Sequence, residues 1–386
     1  MKNTKQPRLA SKFVMGCVMT FYGKRYFRKK AVLVEDGTLR KIKPPYILLA
    51  NHASFADVAG IARMLYPKTA GSFVSSPIQR THYGDLLDLL GIIAKQQFQV
   101  TPSLVKDIKS VLDRGRPVIV YPEGKLSVDG TLNEIKINTA KLIKMLKVPI
   151  VCVRFDGNYL HEPRWAKDRR KVPLRATVKT IVTAEETKTL PLEEIYNRIL
   201  ENLTYDDYKY QRDNKISIKS DKLTNGIEGI LFRCPSCNSE FTLTGKGDEI
   251  NCSHCGSKHV MDEYGVLHGH FESVPQWNKW QQSQIATEIA SQPPVVSLSC
   301  KVEQMQGNKW HALGDATFEW NCGEITVTCA SGKTFSYPSG MFYTTSYNNN
   351  YLNLPDVNGC VHLTFGQVGM PAKINVLVEE YAKLNN

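Results

Sequence analysis

The sequence predicts an α/β layer fold with a mostly parallel sheet flanked by helices. A small cysteine-paired ribbon and a β-rich C-terminal domain follow it. Three observations predict this. From residue 31 to about 203, short apolar runs alternate with helix-length amphipathic stretches, the pattern of parallel strands covered by helices. Two Cys-x-x-Cys pairs then stand 14 residues apart. From Pro293 onward, Thr, Ser, Val and aromatic residues alternate with Gly and Asn turns, as short strands do. At 386 residues the chain is too long for one ordinary core, so several domains are expected.

Taken in order, residues 1–30 form a basic amphipathic segment. Its apolar run FVMGCVMTFY lies between Lys2, Lys5, Arg8 and Lys12 on one side and Lys24, Arg25, Arg28, Lys29 and Lys30 on the other. A cleavable signal should turn polar after Cys17, and this run does not. A membrane-surface helix with a basic rim is the preferred reading, with an ordinary packing helix as the alternative. Strands are expected at 46–50, 71–75, 92–99, 117–121, 148–153 and 174–183. Helices are expected near 55–66, 83–90, 102–114, 133–147 and 191–201, with Pro102 and Gly115 punctuating the third. These elements make up a first domain over 31–203. A polar linker over 204–227, with a helix lying on the first domain as the alternative, a ribbon over 228–270, a helical connector over 271–292 and a β-rich domain over 293–386 complete the chain. Strands closed by one terminal helix, 371–385, give the last domain a layout that resembles pleckstrin-homology-like domains.

The net charge of +12 favours an anionic partner: lipid headgroups, acyl carrier protein, coenzyme A or nucleic acid. No apolar run reaches the 18 residues of a simple spanning helix. Six of the ten cysteines are scattered through a chain too large for a disulfide scaffold, which points to a reducing compartment.

The chemistry-bearing stretch is Asn51-His52-Ala53-Ser54-Phe55-Ala56-Asp57, directly after an apolar strand. Open α/β sheets place ligands at such strand ends. There a histidine can take a proton from an attacking hydroxyl, and a carboxylate on its other nitrogen fixes the tautomer. A second element, Tyr121-Pro122-Glu123-Gly124-Lys125, also follows a strand. These blocks, with Val148-Pro149-Ile150-Val151, resemble the ordered blocks of the glycerolipid acyltransferases of the lysophosphatidate acyltransferase type. The resemblance covers roughly residues 30–200. It implies His52 as general base oriented by Asp57, an acyl-thioester donor (acyl-CoA or acyl carrier protein), and a lysophospholipid acceptor, 1-acylglycerol-3-phosphate above all. Asn51, Lys95, Glu123, Gly124 and Lys125 would then line the acceptor site, with Arg80 a weaker candidate. The family's second block reads Glu-Gly-Thr-Arg-Ser, whereas Leu126 occupies the arginine position here. The expected location is cytoplasmic, peripheral on the inner face of an anionic membrane.

Cys234, Cys237, Cys252 and Cys255, flanked by strand-like runs, have the layout of a zinc ribbon. Four thiolates fill the shell, so the Zn²⁺ would be structural, and no cofactor is expected for catalysis. His254 and His259 are the alternative ligands. The segment 228–262 carries Arg233, Lys246 and Lys258 against five carboxylates, so no nucleic acid is expected. Two competing readings are a non-catalytic lipid-binding scaffold on the same fold, motivated by Leu126, and a nucleic-acid-binding zinc protein.

Overall fold

The computed structural model describes residues 7, 9–17, 20–21, 27, 32–67, 71–75, 90–94, 101–306, 309–356 and 359–385. They divide into two compact units, residues 1–164 with 168–219, and residues 165–167 with 220–386. The expected helix at 83–90 lies almost wholly outside the described residues, as does most of the strand expected at 92–99.

The first unit holds α1 (Lys12–Cys17), β1 (Val32–Val34), β2 (Ile47–Ala50), α2 (Phe55–Leu65), β3 (Ser72–Ser75), β4 (Ile93–Ala94), α3 (Pro102–Asp113) and β5 (Val118–Val120). It continues with α4 (Ile137–Leu146), β6 (Ile150–Asp156), α5 (Asn158–His161), β7 (Pro173–Val182), α6 (Glu186–Thr189), α7 (Leu192–Leu203) and α8 (Asp207–Asp213). Its seven-stranded sheet has the order β1-β7-β6-β2-β5-β3-β4. All neighbours are parallel except β6 and β7. The central strand β2 is buried on both faces, as a parallel strand between helical layers must be. Leu48 and Ala50 face a core shared with Ile61, Met64 and Leu65 of α2. Ile47 and Leu49 face Ile108 and Val111 of α3, Ile143 of α4, and Ile195 and Ile199 of α7.

Two boundaries differ from the sequence expectation for local reasons. Helix α4 starts at Ile137, later than expected: the Asn133 N–H is tied to Glu123, and Lys136, just before the helix, is extended. Strand β6 runs on to Asp156, beyond the expected 153, because its antiparallel pairing with β7 continues to Asp156 opposite Arg175, while the Asn51 side chain pairs with the main chain of Phe155 at 2.9 and 2.7 Å. The polar stretch, expected as a linker or as a helix lying on the first domain, contains α8, whose Asp207 is wholly buried in the first unit.

The second unit opens with a four-stranded antiparallel sheet, order β11-β10-β9-β8, built from β8 (Leu243–Lys246), β9 (Glu249–Cys252), β10 (Lys258–Met261) and β11 (Leu267–His268). Helix α9 (Val274–Ser291) follows, buried through Trp277, Gln281, Ile285 and Ile289. Trp277 Nε1 donates to Arg233 O at 2.9 Å, and Gln281 exchanges hydrogen bonds with Ile230 and Phe232. A seven-stranded antiparallel sheet follows, built from β12 (Val296–Gln306), β13 (Lys309–Asn321), β14 (Glu324–Cys329), β15 (Thr334–Tyr337), β16 (Ser346–Tyr347), β17 (Tyr351–Asp356) and β18 (Gly359–Phe365), with α10 (Met370–Asn385) after it. Its order β15-β14-β13-β12-β18-β17-β16 joins a four-strand and a three-strand meander through β12 and β18. That order keeps the strands-then-helix layout expected from the sequence.

Candidate active site and cysteine cluster

His52 follows shortly after the end of β2, and Asp57 sits in the first turn of α2. Ser54 caps that helix: its Oγ accepts from Ala56 N at 3.1 Å, while Asp57 Oδ2 accepts from Ser54 N at 3.4 Å. The same Oδ2 lies 2.9 Å from His52 Nδ1, so one carboxylate oxygen fixes both the helix start and the imidazole. Asp57 is wholly buried, and the His52 side chain is 17% exposed. The His52 ring stacks on Tyr121 from the end of β5, with centroids 4.1 Å apart and planes 20° apart. Burial disfavours the charged imidazolium, but the charge and hydrogen bond of Asp57, with the charge of Glu123, outweigh it and leave the His52 pKa above its ordinary value. Burial, and then the Asp57 charge, hold the Tyr121 phenol well above its usual range.

Glu123 is only 1% exposed and faces inward. Its Oε1 accepts from His52 N at 2.6 Å, and its Oε2 accepts from both Asn133 N and Asn133 Nδ2 at 2.8 Å. Burial raises its pKa to about 7, against the opposing pull of the His52 and Asn133 N–H groups. The carboxylate thus ties the loop after β5 to the main chain of the histidine. Ser127 N adds a second tie, donating to His52 O at 2.7 Å. Gly124 has φ of 71°, a left-handed conformation that suits glycine at this turn. Farther along, Gly130 (φ 88°) packs so closely on Tyr159 that a Cβ there would lie 2.7 Å from the ring. Asp207 N donates to Gly130 O at 3.0 Å, and Asp207 Oδ1 and Oδ2 accept from Gly157 N and Tyr159 N at 2.8 and 2.6 Å.

Of the residues expected at the site, the fold brings His52, Asp57 and Glu123 together. Gly124 and Lys125 lie on the adjoining loop, with Lys125 only 7% exposed. Asn51 has a different job: it is fully buried, and its amide pairs with Phe155. Lys95 and Arg80 lie outside the described residues. Sequence reasoning missed Asn133 and Asp207, because each acts through contacts set by a loop path rather than by a local motif.

Residues 18–156 match the family model described as Acyltransferase. The first unit carries an acyltransferase-family domain. Acyl transfer is its general chemistry, and the His52–Asp57 pair lies inside the matched segment. Among solved structures, this chain is similar to the 1-acyl-sn-glycerophosphate (LPA) acyltransferase PlsC from Thermotoga maritima, with a TM-score of 0.41 and 22% identity. The match covers 49% of this chain and 76% of that one.

The second unit gathers Cys234, Cys237, Cys252 and Cys255, whose sulfurs all lie within 4.8 Å of one another, a group able to hold a metal ion. Two equivalent knuckles present them. Cys234 N and Cys252 N donate to Ser239 O and Ser257 O, each at 3.0 Å, and Asn238 N and Gly256 N donate to Cys234 O and Cys252 O at 2.9 and 3.0 Å. Asn238 and Gly256 occupy the same place in their knuckles, and both have positive φ, 60° and 74°. His259 is not among the four clustered ligands and packs against Trp277 at 4.7 Å.

Proposed function

We propose that this protein transfers a fatty acyl group from an acyl thioester, carried by coenzyme A or acyl carrier protein, to the hydroxyl of a lysophospholipid, 1-acylglycerol-3-phosphate above all. The observation that carries the reading is the His52–Asp57 pair at the C-terminal end of β2, inside the acyltransferase-family segment. Asp57 holds the proton on Nδ1, which leaves Nε2 as the basic atom. Nε2 removes the acceptor's hydroxyl proton as the oxygen attacks the thioester carbonyl carbon. The tetrahedral oxyanion collapses and expels the thiolate, which takes the proton back from the imidazolium. Asp57 stabilises that transient cation, and Tyr121 supports the ring from its face. Glu123 and Asn133 hold the loop on which Gly124 and Lys125 meet the acceptor. Lys125, with Lys95, offers the phosphate a positive charge.

Membrane attachment is peripheral in this proposal. Phe13 and Phe21 of the basic N-terminal segment are 79% and 77% exposed, large apolar side chains suited to a headgroup layer. No helix among the described residues is long and apolar enough to cross a membrane.

The four cysteines are proposed to hold a structural Zn²⁺. A tetrahedron of Zn–S bonds near 2.3 Å has edges of about 3.8 Å. Cys234 and Cys255 sulfurs are 3.8 Å apart, and those of Cys237 and Cys252 are 3.9 Å apart. Bound there, the ion would cross-link the two knuckles.

The direct test supplies purified protein on mixed lipid vesicles with labelled acyl-CoA and acyl carrier protein thioesters and a panel of lysophospholipids. Transfer that is lost in His52→Ala supports the reading. Transfer that persists in the variant removes His52 from the reaction.

A further inference from the structure

The acceptor proposed above brings a phosphate into a site that is partly withdrawn from water, where its charge needs fixed cationic donors. Side chain 126, on the loop beside His52, is leucine and supplies none. The peptide unit joining Leu126 to Ser127 nevertheless has two partners. Its N–H donates to His52 O at 2.7 Å, and its carbonyl accepts from Arg164 Nη1 at 3.3 Å. In a trans peptide the N–H and C=O point to opposite sides. The Arg164 guanidinium is therefore held on the side of this peptide away from the His52 main chain, separated from it by the peptide and its two hydrogen bonds, against the loop that starts at Glu123. It arrives from 38 residues downstream, in the connection between α5 and β7. Arg164 is partly exposed, and a guanidinium presents five N–H donors in a planar fork.

We propose that Arg164 is the residue that selects an anionic acceptor, binding its phosphate beside Leu126 while the acceptor hydroxyl lies at His52 Nε2. This rests on the acyl-transfer reading above and deepens it. A planar fork matches phosphate oxygens better than a flexible ammonium, so Arg164 carries selectivity that Lys125 alone would give weakly.

The test compares wild type, Arg164→Gln and Arg164→Lys on two acceptors of equal chain length, 1-acylglycerol-3-phosphate and uncharged monoacylglycerol. Melting temperatures of all three proteins are measured alongside. Arg164→Gln is expected to lower kcat/KM for the phosphate acceptor about 10- to 100-fold, the size of a lost charge-assisted pair, mainly through KM. Transfer to monoacylglycerol should stay within about twofold, and Arg164→Lys should recover part of the loss. Equal losses on both acceptors would mean that Arg164 only braces the loop, and would overturn the assignment. So would unchanged kinetics on both, which leaves the acyl-transfer reading standing. Absence of transfer by wild type to every acceptor overturns both together.

Discussion

Asp57 Oδ2 is the atom on which the site turns, because it serves a helix cap and an imidazole at once. Asp57→Asn keeps the cap's shape but removes the charge, and kcat should fall about 10²- to 10⁴-fold. The sign of the pH effect is fixed by the balance at His52. The base works when neutral, so wild-type kcat/KM rises with pH through a His52 pKa that Asp57 and Glu123 hold above the ordinary value. Without the Asp57 charge, burial dominates and the pKa falls. The rise should therefore lie at higher pH in wild type than in Asp57→Asn. A pH–rate profile of both proteins checks this, and coincident profiles count against the pairing. Glu123→Gln tests the inner clamp. An amide offers one oxygen and sets its NH₂ against the N–H of His52 or Asn133. Stability should drop by about 1–3 kcal/mol, read as a lower urea midpoint. An unchanged midpoint would mean that the carboxylate does not clamp the loop.

Among the elements, the turn between β6 and α5 depends on a residue from α8. Asp207 is wholly buried, and burial pushes its pKa to about 8, although Gly157 N and Tyr159 N both donate to it. Its folded pKa lies above the ordinary value of 3.8, so the folded state binds more protons than the unfolded chain between those limits. The stability that this proton uptake contributes is present below about pH 4 and lost as pH rises through about 8. Asp207→Asn removes that contribution. The fall in melting temperature from pH 5 to pH 8 should be smaller in the variant than in wild type, and equal falls would overturn the argument. The packing of Gly130 on Tyr159 belongs to the same device, since α8 meets the loop carrying Ser127 through Gly130 O.

At the scale of the whole molecule, each unit has its own means of stabilisation. The first buries two apolar layers on either side of its sheet. In the second, Arg233 next to the first knuckle pairs with Glu240 of the ribbon and Glu288 of α9, and Lys373 of α10 pairs with the same Glu240. The ribbon is thus fastened to α9 and α10. One Zn²⁺ per chain is expected by elemental analysis. Cys252→Ser should lower that content and expose residues 228–270 to protease, as a small ribbon has little core to survive on. Full zinc content in the variant would contradict the four-sulfur site.

The sequence by itself determined strands β2, β3, β5, β6 and β7, the helices α2, α3, α4 and α7, the cysteine knuckles and the strands-then-helix layout of the C-terminal region. Each is a local pattern: a period, a spacing or a turn residue. It also marked His52 and Asp57, because a helix cap places residues five apart side by side. Only the tertiary structure decided what Glu123 and Asn51 do, since their partners lie 71 and 104 residues away in sequence. It alone brought Arg164 to the Leu126 carbonyl and Asp207 under the Gly157 turn. Those contacts depend on where whole strands pair and loops return, and no local spacing carries that information.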